Sequence, residues 1–299
     1  SIQVYANSDE TVKTAFKNYI STVLIPQYGL LLTNTVESTS SNNWTEADLE
    51  GLLSATIMDF DNDGQMEMMT VRFADYNGEG GIQTLFLEMY EYQKNSGVDA
   101  LVATPHFYPG NMTVESFLQR RNNAYERVLA AAEEKGISLI PTYLGAEAAL
   151  APGFSRIDGI EKLCIGNSKY ILTEMPHDGW NSVWVQREIY SVSANRGLIP
   201  IIAHIDRYIL TKSDFKTLDS FFDPNVCFQI NADCYFSFSS RRRAKKFAKM
   251  NAIQFVGSDC HNMSDRAPAL AKCVQIMKKM HGESFVDGIF ENSRIVVNS

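Results

Sequence analysis

The chain has 299 residues, 45% of them hydrophobic and 21% charged, with a net charge of −8. That is enough apolar material for one or two globular domains. No apolar run approaches the ~20 residues that span a bilayer, and an acidic balance argues against nucleic acid as the main partner. The opening residues, SIQVYANSDE, do not read as a secretory leader. Residues 1–95 carry 14 acidic and 4 basic side chains, whereas residues 96–299 carry 21 and 23. The split suggests two modules, a small α+β module over 1–95 and a larger one over 96–299, with a boundary between about 78 and 97.

In chain order, Val12, Phe16, Tyr19, Ile20 and Val23 recur at helical spacing, and Pro26 and Gly29 end the run. ESTSSNNWTEAD reads as a loop. LLSATIMDFDNDGQMEMMTVRF reads as strand, acidic turn, strand. LFLEMYEYQKNSG fits either a strand or a helix. From Gly97 onward, strand-like runs alternate with helical ones. DALVAT, SLIPTYLGAE, KYILTEM, LIPIIAH, CFQINA and IQFVGSD are the strands. SFLQRRNNAYERVLAAAEEKG, VWVQREIYSVSANRG, RRRAKKFAKMN and ALAKCVQIMKKM are the helices. Such alternation predicts a parallel sheet of α/β class.

Four segments then stand out: ATPHF with His106, GAE with Glu147, AHIDRY with His204 and Arg207, and GSDCHN with Asp259 and His261. Each places a His, Asp or Glu just after a strand. Polar groups at the C-terminal ends of successive strands predict a (β/α) barrel with its site on one rim. Imidazoles and carboxylates together are the donor set of a divalent metal site. Glu147 is the candidate bridge between cations; His106, His204, Asp259 and His261 are the other candidate ligands. Cations held this way acidify water and supply a nucleophile at neutral pH. Arg207 and Arg266 are candidates for holding a phosphate by paired hydrogen bonds.

GVDALVATPHFYPG, LGAE, YILTEMP, PIIAHIDRY and VGSDCHNMSDR, taken together, resemble the polymerase-and-histidinol-phosphatase (PHP) class. Within it they are similar to the manganese-dependent protein-tyrosine phosphatases of bacterial capsule and exopolysaccharide loci. The resemblance implies a distorted (β/α) barrel of PHP type, a centre of Mn²⁺ or another divalent metal, and catalytic roles for Glu147, Arg207 and Arg266. It also implies hydrolysis of phosphotyrosine on the tail of a bacterial tyrosine kinase. The chain departs from the family in two places. Ile205 and Asp206 replace the usual Pro and Glu, and no His precedes His106, so the family's opening His-x-His is missing. In the family an Asp-Asp-Gly loop follows that motif; ADYNGEGG is its nearest likeness here, with Asp75 as the stand-in. Two alternatives stay open: a degenerate PHP-like binding module without turnover, and a fusion protein whose first module binds calcium.

The calcium reading rests on DFDNDGQME. Asp59, Asp61, Asp63 and Glu67 converge their oxygens around Gly64, as hard-cation turns do, although Thr70 stands where an EF-hand has Glu. Such turns occur in secreted modules. The five cysteines, odd in number and without a CxxC pair, fit a reducing compartment instead. The cytoplasm is the expected location, with secretion or the cell surface as the alternative. Cys260 and Arg266 have the C-x5-R spacing of a thiolate phosphatase, but Asp259 beside the thiol would raise its pKa. His177 and His281 read as solvated.

Overall fold

The computed structural model describes residues 94–261 and 266–299, together with Thr22, Tyr92 and the backbone of three strands nearer the N-terminus. The chain divides into two compact units. One comprises residues 1–92, 127–138 and 262–265, and the other 93–126, 139–261 and 266–299.

In the first unit, β1 (Val4–Ala6) pairs parallel with β2 (Gly51–Met58), which pairs antiparallel with β3 (Glu67–Phe73). The strands predicted on either side of the acidic turn are β2 and β3. Glu67 opens β3, whereas Asp59, Asp61, Asp63 and Asp75 lie outside the described residues, as does the helix predicted from Val12. Of the ambiguous LFLEMYEYQKNSG segment, the described Tyr92, Lys94 and Asn95 are helical.

The second unit is built on parallel strands. They are β4 (Leu101–Ala103), β5 (His106–Phe107), β6 (Thr142–Leu144), β7 (Glu147–Ala149), β8 (Tyr170–Glu174), β9 (Ile199–Ile202), β10 (Cys227–Asn231) and β11 (Phe255–Gly257). Six of them form one sheet in the order β11-β10-β9-β8-β7-β5, and β4 pairs with β6. Leu101 faces Thr142 and His106 faces Glu147, so both pairings share one register. They are a single strand pair interrupted at Thr104–Pro105. Proline has no N–H to give the ladder, and the gap is bridged by the Gly145 amide on the Ala103 carbonyl (2.9 Å) and the Glu147 amide on the Pro105 carbonyl (3.1 Å).

Spatial order follows chain order, so every connection steps the same way round. That is barrel winding rather than doubly wound winding, and it brings all strand C-termini to one rim. The described strands make an arc of the barrel, with β5 and β11 at its ends. β10 is buried along nearly its whole length, as expected for a strand covered on both faces.

The connections carry α1 (Val114–Glu134), α2 (Val183–Arg196), α3 (Lys212–Leu218) and α4 (Phe238–Lys249), with α5 (Leu270–His281) and α6 (Glu283–Asn298) after the last strand. In α2, Val185, Ile189 and Val192 form the buried stripe, and Gly197 ends the helix in the left-handed conformation (φ 64°). α6 has no counterpart in the sequence reading. Gly288 and the Ile295–Val297 run weaken its local helical signal, and the buried Val286, Ile289 and Val296 secure it by packing.

Between β7 and β8 the chain makes 3₁₀ turns, Phe154–Arg156 and Ile160–Leu163. The carboxylate of Glu188, on α2, accepts the amides of Gly153 (2.9 Å) and Ser155 (3.1 Å) and the Ser155 hydroxyl (3.0 Å). Partial burial raises its pKa, but these bonds and the nearby Arg156 outweigh that and hold it below the ordinary value. A depressed folded-state pKa gives stability that is present above the unfolded value of 4.5 and lost as pH falls through the folded one. Glu188→Ala should therefore destabilise the fold by about 1–3 kcal/mol at neutral pH. The difference from wild type should shrink on acidification, as measured by urea unfolding at pH 7 and pH 3.

Candidate metal centre

Six successive strand positions deliver a polar side chain to the same rim. His106 opens β5 and faces Glu147 across the ladder, Glu174 closes β8, and His204 follows β9 by two residues. Asn231 closes β10, and Asp259 follows β11 by two. His204 and Asp259 both take positive φ (33° and 48°). A non-glycine residue accepts that strained backbone only where the surroundings enforce it.

Four of these side chains form one cluster. His204 Nε2 lies 2.8 Å from Glu147 Oε1 and 3.6 Å from Glu174 Oε1, and His106 Nδ1 lies 3.9 Å from Glu174 Oε2. Ligand atoms of His106, Glu147 and Glu174 all fall within 4.8 Å of one another. Glu147 is 6% exposed and His204 2%. Among the described residues, the ion-pair partners of both carboxylates are imidazoles, not guanidinium or ammonium groups. Buried carboxylates without a fixed cation are unfavourable. The Nδ1 atoms of His106 and His204 are buried without a hydrogen-bond partner. Excess negative charge and orphaned imidazole nitrogens are the donor set a divalent cation takes, so the residues present fit one. The negative field is felt nearby. Burial, then Glu174 and Glu147, push the phenols of Tyr108 and Tyr208 up.

A second cluster centres on Asp259. Its carboxylate pairs with Arg207 and with Arg266 (2.6 Å), approaches His261 Nε2 (3.1 Å) and accepts the Asn231 side-chain amide (3.1 Å). Burial raises the Asp259 pKa, but the two guanidiniums outweigh it and hold the group below its ordinary value. Arg207 ends a 3₁₀ turn that starts straight after His204, so one short segment supplies an imidazole to one cluster and a guanidinium to the other. The rings of His106 and His261 lie 6.0 Å apart, which joins the clusters. Tyr108 stacks on His106 at 5.5 Å and is 42% exposed.

All seven residues singled out in the second module thus lie at one rim. Three of them, His106, Glu147 and His204, gather around Glu174, and His261 lies between the His106 ring and the Asp259 carboxylate. Asp259, Arg207 and Arg266 are engaged with one another. Asp206, in place of the usual Glu, is buried and accepts the Asn231 amide at 2.8 Å. Burial pushes its pKa up to about 6, with Asp233 adding to the rise and the Asn231 amide opposing it. Cys260 sits between Asp259 and His261 with its thiol pKa raised, by burial first and by Asp259 among other causes. A thiol raised in this way is not a ready nucleophile. His177 is exposed, but His281 is not simply solvated: it packs on Phe285 and lies 3.3 Å from the Tyr235 hydroxyl.

Sequence reading passed over Glu174, Gln229 and Asn231. Glu174 had a usable signal, since it ends its strand as Glu147 and His204 follow theirs. Asn231 ends β10 in the same way, whereas Gln229 lies inside that strand, where a polar residue carries no mark of function.

Residues 78–298 match the family described as capsular polysaccharide synthesis, CpsB/CapC. This chain belongs to that family. Similar proteins include the tyrosine-protein phosphatase CpsB of Streptococcus pneumoniae, 26% identical over 208 residues, or 63% of this chain and 77% of that protein. The tyrosine-protein phosphatase YwqE of Bacillus subtilis is 24% identical over 140 residues, 46% of this chain and 54% of that one. Among solved structures, one from the work on YwqE of Bacillus subtilis and CpsB of Streptococcus pneumoniae, described as unique metal-dependent tyrosine phosphatases, superposes with a TM-score of 0.61 at 20% identity. It covers 72% of this chain and 87% of that chain, which establishes the shared fold. The resemblance drawn from the five motifs is thereby borne out, and so is the PHP-type α/β fold.

If the first cluster takes a cation, Mn²⁺ should raise the melting temperature of chelator-treated protein. At a hundredfold excess over its Kd the gain is ~2.7 kcal/mol. Glu174→Gln should abolish most of that gain in a thermal-shift titration.

Proposed function

We propose that this chain is a metal-dependent phosphomonoesterase that hydrolyses phosphotyrosine in proteins. The observation that carries the reading is the pairing, at one rim, of a His106–Glu147–Glu174–His204 cluster with two arginines gathered on Asp259. The names of the relatives, tyrosine-protein phosphatases, support the same activity.

His106, Glu147, Glu174 and His204 would hold the cation, with Asp259 and His261 as further candidates. A divalent cation bound there supplies Lewis-acid polarisation of a phosphoryl oxygen and lowers the pKa of water. Arg207 and Arg266 bind and orient the phosphoryl oxygens and offset the charge that develops on them. Tyr108, stacked and half open beside His106, offers an aromatic face to the tyrosine ring of the substrate. The raised Cys260 thiol favours attack by water over a covalent thiol route. Mn²⁺ is the proposed metal and the tail of a bacterial tyrosine kinase the proposed substrate, both from the family resemblance. The cytoplasm is the proposed location. Its support is the cysteine usage, five in number and without a disulfide among the described residues.

Hydrolysis of p-nitrophenyl phosphate should be lost with chelator and restored by Mn²⁺. Absence of turnover at every Mn²⁺ concentration would overturn the proposal. Arg207→Ala and Arg266→Ala should each lower kcat/KM by roughly 100-fold. Cys260→Ser should keep activity close to wild type, whereas a thiolate enzyme would lose it entirely.

A further inference from the structure

The two clusters are joined from behind by side chains of β10. The Gln229 Oε1 accepts the backbone amide of His204 at 2.6 Å. Its Nε2 donates to Asn231 Oδ1 at 3.2 Å and to the Ile230 carbonyl at 3.3 Å. Asn231 passes the link on, since its Nδ2 donates to Asp259 Oδ2 at 3.1 Å, while its own backbone amide is held by Asp206. Gln229 and Asn231 are 8% and 3% exposed. The wire therefore starts at the strained backbone of His204 and ends on the carboxylate that gathers both arginines. Its position is sterically specified. A Cβ at Gly257, which pairs with Asn231 in the ladder, would collide with Gln229 Nε2. A side chain at 257 would force that amide to shift.

We propose that Gln229 is a positioning residue that sets His204 for the cation and, through Asn231, sets Asp259 for the two arginines. The inference rests on the proposed function and adds to it a coupling between cation and phosphate. An amide suits this place because it accepts and donates at once. A carboxylate could not donate to Asn231, and an apolar side chain could do neither. The buried network is fully connected, so removing its centre leaves the His204 amide and the Asn231 carbonyl oxygen unpaired in the interior.

The test measures binding rather than turnover, with Mn²⁺ and inorganic phosphate as separate calorimetric probes on the full chain. Gln229→Met should weaken both by about 10-fold or more in protein whose circular dichroism spectrum matches wild type. Gly257→Ala, which alters no polar group, should reproduce that pattern by displacing the amide. Asn231→Leu spares the Gln229–His204 bond, so it should weaken phosphate binding as Gln229→Met does but Mn²⁺ binding less than Gln229→Met does. Folded Gln229→Met with both affinities unchanged overturns the inference, as does a Gly257→Ala protein that binds both like wild type. Wild-type protein that binds both probes but hydrolyses no aryl phosphate overturns the proposed function and leaves the positioning role standing. Wild-type protein that binds neither removes both.

Discussion

Glu147 and His204 meet at 2.8 Å where almost no water reaches them, and Glu174 lies close by with a second carboxylate. Two acids whose ion-pair partners among the described residues are imidazoles leave a local surplus of negative charge in a poorly solvated place. That surplus governs the rim. It adds to the effect of burial in raising the phenols of Tyr108 and Tyr208, and it makes a cation the natural complement. A few ångströms away the balance is reversed. Two guanidiniums share one carboxylate at Asp259, which leaves that side with positive charge to offer a phosphate.

Opposite charges can be kept this close without collapsing onto one another because each is fastened to a different strand. Sequential winding gives each strand one place on the rim, and a side chain at its C-terminal end cannot trade places with its neighbour. Pro105 sharpens the arrangement. By breaking the ladder one residue before His106, it separates the part of the strand that builds the sheet from the part that bears the imidazole.

Much of this was readable from the chain alone, because strand endings leave a plain trace: an apolar run, then one polar residue. His106, Glu147, His204 and Asp259 are all of that form, and the strands that carry them lie where the runs predicted. Glu174 has the same form, inside the YILTEMP segment, and was not singled out. Asn231, at the end of β10, has that form too. Gln229, inside that strand, was out of reach for a different reason. Its meaning comes from what it meets across the fold, and no one-dimensional pattern states which residues meet. The joining of Asp259 to both arginines was hidden in the same way: the residue types suggested a ligand and two clamps, whereas the geometry makes them one ion-paired group. The helix at 283–298 was missed because tertiary packing, not local preference, stabilises it.

The left-handed backbones of His204 and Asp259 have a consequence for the evolution of the chain. Each stores conformational strain that a glycine or an asparagine would relieve. The substitutions that would most readily harden the fold therefore lie at the positions where chemistry forbids them. Selection for thermal endurance alone would erode this rim first, and a lineage that keeps both residues in that posture is being held there by use.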